Sequence, residues 1–161
     1  MKKLLIQANN LDMVIDTFMY VYRHPGCKKQ DIADYCGFTL RQADYYTNAC
    51  RYLDLIDDNL LGTPLAKDIF TNNPAEVQER VYERIISDDL IGQIFARLYI
   101  LPESDCSEYA KAIVKEYFPG YSDAVYERRT DNMIKWCTKI ISFVKSKNYL
   151  SLYCKQQEDA R

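Results

Sequence analysis

The chain has 161 residues, 48% hydrophobic and 27% charged, with a formal net charge of −2. Such a composition fits a soluble globular protein with a sizeable core, either one domain or two small ones packed together, and it excludes a disordered chain. It also weighs against a non-specific nucleic-acid coat protein, which carries an evident basic excess.

The opening MKKLLIQANNLDM has two lysines like a signal peptide, but its apolar run stops at Ile6. No export signal is implied, and no uncharged apolar stretch approaches the roughly 18 residues of a bilayer span. A cytoplasmic protein with no membrane partner is expected. Apolar residues then recur at three- and four-residue spacing almost throughout, the signature of helices. The first helix is predicted over Leu11–Arg23, capped by Asn10 and ended by His24-Pro25-Gly26. A short one follows from Lys28 to Tyr35, broken by Gly37. Thr39 caps a third, Leu40 to about Leu53, with Gln42 completing a capping box. The tight turn Cys36-Gly37-Phe38-Thr39 has helix-turn-helix spacing.

Two short apolar runs around Asp57-Asp58-Asn59 predict a hairpin wing, and Thr63-Pro64 starts the next helix. A linker helix is expected from Asn73-Pro74 to Ile86. The second half repeats the order, with helices predicted at Asp89–Leu101, Cys106–Tyr117 and Ser122–Val144, and with Tyr149–Tyr153 as a remnant wing strand. The expected fold is therefore mainly α, with two winged helix-turn-helix units in tandem at residues 10–72 and 88–154. The linker helix occupies 73–87 between them.

At about 100° per residue, Arg41, Tyr45 and Asn48 share one face of the third helix, with Gln42 at its edge; Ala43, Tyr46, Cys50 and Leu53 lie opposite. In the last helix Arg128, Asn132, Lys135 and Lys139 share a face, with Arg129 and Trp136 at its boundary. Arg, Asn, Gln and Lys are the residue types that hydrogen-bond base edges and phosphates. Between Gly120 and Lys147 six basic residues face three acidic ones, which makes this the positive end of the chain.

Catalytic chemistry finds little support. No Asp-x-Lys or Glu-x-Lys occurs to serve a metal-dependent nuclease, and His24 is the only histidine. Six cysteines are too widely spaced for any C-x-x-C pair and read as reduced core thiols, so neither a metal nor a cofactor is expected.

The stretch RQADYYTNACRYLDLID followed by LLGTPLAKDIF resembles the first winged helix of modules found in type II restriction endonucleases and related proteins. The later YERRTDNMIKWCTKIISF resembles the paired-arginine and tryptophan helix that closes the second winged helix of those modules. The resemblance spans residues 10–145. It departs at Gly62, where a strand residue with a side chain is expected. It implies recognition of double-stranded DNA, with a nuclease domain or subunit elsewhere. Two further functions are compatible with the same helices: a transcriptional regulator, for which a homodimer is expected, and a protein-interaction scaffold without nucleic acid.

Overall fold

The computed structural model describes residues 3–101 and 103–159, with the side chains of 103, 104 and 148–159 apart. It is all-α, with eight helices among the described residues: α1 (Leu11–Arg23), α2 (Lys29–Cys36), α3 (Leu40–Tyr52), α4 (Pro64–Ile69), α5 (Pro74–Ile86), α6 (Asp89–Ile100), α7 (Glu103–Tyr117) and α8 (Asp123–Asp159). No described helix is long and apolar enough to cross a membrane.

The helix starts follow from side chains that satisfy orphan N–H groups. Asn10, Thr39, Thr63, Asn73 and Asp88 each accept from a backbone N–H two or three residues on. Gly37 ends α2 with φ 71°, a left-handed conformation that costs a glycine little, and Phe38 N–H then reaches back to Ala33 O at 2.8 Å. α1, α2 and α3 pack on one another, as do α6, α7 and α8, while α5 touches both α1 and α6. A single apolar cluster runs through both groups, from Leu5 to Ile140.

The wings are absent as strands. The first is reduced to one antiparallel bridge between Ile56 and Gly62. Between them the Asp57 carboxylate accepts from Asn59 N–H at 2.8 Å and Leu61 N–H at 3.0 Å, which curls the chain. Asp54 and Leu60 take positive φ values of 60° and 56°, which extended strands do not adopt. The second predicted wing, Tyr149–Tyr153, is helical, because α8 continues through it to Asp159. That pentapeptide has no β-branched residue, so nothing local opposes continuation of a helix already formed.

An element without a helical pattern also enters the core. The extended residues ahead of α1 bury Leu5, Ile6 and Ala8. Asn10 N–H donates to Tyr46 OH at 3.3 Å, and Tyr46 OH donates to Asn9 Oδ1 at 3.2 Å, which fastens this segment to α3. Trp136, predicted at a face boundary, is fully buried. Free thiols occur at Cys27, Cys36, Cys50 and Cys137; Cys106 is buried too, and the Cys154 side chain lies outside the described residues.

Gly62 has a packing reason. A Cβ built there would stand 2.8 Å from Cδ2 of Tyr22, whose ring also stacks on Phe70 at 4.2 Å. To make room, the ring would have to shift away from that stack. Gly62→Ala is therefore expected to destabilise by about 1–3 kcal/mol, read as a lower denaturant midpoint with an unchanged slope. A smaller residue at Tyr22 in the same chain should return part of the loss; no change in the single variant would show that the ring moves freely.

Burial pushes the Cys50 and Cys137 thiols from their ordinary 9.0 up to about 12. With the folded pKa raised, each neutral thiol contributes stability that is complete below pH 9 and lost as the pH climbs from about 9 towards 12, because the unfolded chain loses its proton first. Tyr46 and Tyr52 are raised chiefly by burial and act in the same direction. The unfolding midpoint should fall steadily across that alkaline range, and less steeply in Cys50→Ala. A flat profile would mean that water reaches these thiols.

Candidate nucleic-acid interface

The start of α3 is fixed reciprocally. Gln42 N–H donates to Thr39 Oγ1 at 3.1 Å, and Thr39 N–H donates to Gln42 Oε1 at 3.0 Å. This sets Arg41 at the second helical position, exposed. Its guanidinium lies over the Tyr45 ring, 5.6 Å from the centroid, and Nε donates to Tyr45 OH.

The start of α8 is held from the preceding turn. Ser122 Oγ accepts from Val125 N–H at 3.3 Å. Tyr126, buried, donates its hydroxyl to Phe118 O at 2.6 Å and accepts from Tyr121 N–H at 3.2 Å. Tyr121 meets the Tyr126 ring edge-on, with centroids 5.9 Å apart. From this base α8 projects Arg128 into solvent and leaves Arg129 half-buried.

Arg129 is the point where the two helices meet electrically. Its pKa is lowered, first by burial and next by the neighbouring charge of Arg128; Arg41 of α3 pushes the same way, and the phenols of Tyr45 and Tyr121 oppose it. Arg41 and Tyr45 of α3 are thus within electrostatic reach of Arg129, as are its neighbours Arg128 and Tyr121. Among the described residues none of the three arginines makes an ion pair. Arginines near one another that are not ion-paired can take an anion.

Other residues singled out from the sequence have partners that draw them elsewhere. Gln42 spends its Oε1 on the cap. Asn48 Oδ1 accepts from Arg51 Nη1 at 3.0 Å, and Arg51 in turn donates to Asp57 O, so Asn48 braces the loop after α3. Asn132 Nδ2 donates to Gln7 O at 3.1 Å, tying α8 to the N-terminal segment. Lys139 is ion-paired with Asp12. Lys135 is exposed beside it, in a shallow cleft whose far wall is Asn9 and Asn10. Tyr121 was not singled out from the sequence. Its signal was the breaker pair Pro119-Gly120, which marks a turn but not which side chain it presents. Among the described residues no three His, Cys, Asp or Glu side chains are grouped to hold a metal ion.

Because Asn132 supplies the hydrogen bond to Gln7 O, Asn132→Ala should cost about 1 kcal/mol and speed amide exchange in the segment before α1 ahead of the rest of the chain. Exchange that stays unchanged there would show that apolar burial alone retains the segment.

Neither the curated proteins nor the solved structures contain a match to this chain. A family model described as Domain of unknown function (DUF7226) matches residues 13–145. That match takes in α1 from its third residue, every helix from α2 to α7 and the arginine-bearing part of α8, and since it covers more than half of the chain, the protein belongs to this family.

Proposed function

We propose that this chain binds double-stranded DNA through the surface shared by the start of α3 and the first turns of α8, as the recognition part of a restriction endonuclease system. The observation that carries the reading is that Arg41 and Arg128, from two helices, both act electrostatically on half-buried Arg129, and that none of the three is ion-paired among the described residues. Arginine presents a planar fork that fits phosphate oxygens and the O6/N7 edge of guanine, whereas lysine acts as a point charge. In this reading α2, its turn and α3 act as a helix-turn-helix, and α3 enters the major groove with Arg41 leading. Arg128 and Arg129 reach phosphates, and Tyr45 holds the Arg41 guanidinium. The catalytic centre belongs to another domain or subunit.

A second reading is favoured by the net charge of −2 and by the ion pair that occupies Lys139. Here the same surface takes an acidic partner protein, and the chain is a scaffold.

Selection from a random duplex library at low salt separates the two, since a DNA reader enriches a defined site and a scaffold enriches none. With the enriched site in hand, Arg41→Ala should weaken binding by about 1–3 kcal/mol and relax preference at one position. Arg128→Ala and Arg129→Ala should weaken all duplexes alike and each reduce the slope of log affinity against log salt by about 0.9. Unchanged affinity and slope in both would remove α8 from the interface.

A further inference from the structure

A cavity of about 590 Å³ opens between the N-terminal segment, the end of α3, the start of α6 and the α7–α8 turn. Leu4, Leu90 and Phe118 give it apolar walls, and Tyr52, Tyr117 and Tyr121 give it aromatic ones. This is the size and lining of a small-molecule site with a few convergent polar groups. Its charge is lopsided, with Asp88 and Asp89 against Lys3 alone.

The Asp88 side chain is 9% exposed. Its Oδ2 accepts from Tyr52 OH at 2.9 Å and from Ile91 N–H at 3.0 Å, which leaves Oδ1 for another donor. That donor is the Lys3 ammonium, 3.5 Å from Oδ1 and 4.7 Å from the centroid of the Tyr52 ring. A ring face and a nearly buried carboxylate oxygen thus converge on one ammonium position. Lys3 fills it loosely. At 3.5 Å the contact is longer than the ~2.7–2.9 Å of a charge-assisted hydrogen bond. The Lys3 side chain is 50% exposed, and an ion pair so exposed contributes little, so little opposes its displacement.

We propose that this cavity binds a small organic cation, a primary amine on an aromatic or alkyl body, and that Lys3 occupies the ammonium position in its absence. The amine sits between the Tyr52 ring and Asp88 Oδ1, and the body lies against Phe118, Leu90 and the tyrosines. Asp89, exposed at the start of α6, adds a second negative charge near the amine. The cavity shares Tyr121 with the arginine surface, but its ammonium position, formed by Tyr52 and Asp88, includes none of the arginines.

The test uses 2-phenylethylamine, with neutral 2-phenylethanol and anionic 3-phenylpropionate as matched probes, read by calorimetric titration and by the melting temperature of the full chain. The amine alone should raise the melting temperature. Lys3→Ala removes a weakly held tethered competitor, and should tighten the amine about two- to sixfold. Asp88→Asn keeps an N-cap oxygen and an acceptor for Tyr52, and should weaken the amine about tenfold or more through the lost charge. Equal stabilisation by the alcohol, or no amine binding to Lys3→Ala, overturns the proposal. Lys3 is exposed, so the Lys3→Ala comparison across the three probes stands even without the Asp88 variant.

Discussion

The arrangement of the whole molecule depends on how a stretch of extended backbone is accommodated between helices. Leu5, Ile6 and Ala8 are buried and Gln7 is half-buried, yet among the described residues no β-strand lies beside them to take their N–H and C=O groups. A buried peptide group left without a partner costs about as much as a lost hydrogen bond, so side chains must supply the partners. Asn132 of α8 serves Gln7 O, and Tyr46 of α3 serves Asn10 N–H. Each of these side chains belongs to one of the two helices that carry the arginines. The segment therefore acts as a spacer whose polar ends set where α3 and α8 stand relative to each other.

Further cross-ties join the same halves at the opposite end of α3. Tyr52 OH donates to Asp88, and Arg84 Nε donates to Leu53 O at 2.9 Å. Tyr52 is nearly fully buried, and its hydroxyl is forced far from ionisation by burial first and by the adjacent Asp88 next. A protonated phenol that bridges α3 to the cap of α6 is compatible with a continuous apolar cluster, whereas a charged one is not. Trp136 belongs to that cluster, its side chain fully enclosed and its Nε1 without a hydrogen-bond partner. A tryptophan so placed contributes apolar volume, which removes it from the surface that could meet a ligand.

Much of this was legible in the sequence where one residue type has one local job. Asn10, Thr39 with Gln42, and Thr63-Pro64 mark helix starts because their side chains or fixed φ act within three residues. The inward faces of α3 and α8 follow from period alone. What period cannot show is which outward polar residue is already spent. Asn48, Asn132 and Lys139 look equivalent to Arg41 and Arg128 on a helical wheel, yet their partners lie 3, 125 and 127 positions away in the chain. The N-terminal segment was opaque for a related reason: Leu4-Leu5-Ile6 is too short to carry a period, and the side chains that tie the segment down, Tyr46 and Asn132, lie 36 and 125 positions from their partners. The wings failed differently, because an Asp-Asp-Asn turn predicts a reversal of the chain but not how many strand residues flank it.

The position of the arginine cluster is inherited from the core, although Tyr121 sits on a turn. Tyr126 is anchored by burial, and through one hydroxyl it both donates to Phe118 at the end of α7 and accepts from Tyr121 ahead of α8. Gly120, at φ 96°, permits the reversal between them. Lys115 of α7 adds a cation over the Tyr126 ring, 5.5 Å from its centroid. Displacing Tyr121 would thus require leaving a buried hydroxyl half satisfied, at a cost of about 1–3 kcal/mol. The exposed pair between Lys139 and Asp12 presents no comparable barrier, since such pairs contribute about 0.2–1 kcal/mol and weaken with salt. The two ends of the basic face of α8 therefore differ in kind: the backbone at the arginine end is anchored through the Tyr126 hydroxyl, and the Lys139 side chain at the other end pairs with an exposed carboxylate that a competing anion can replace.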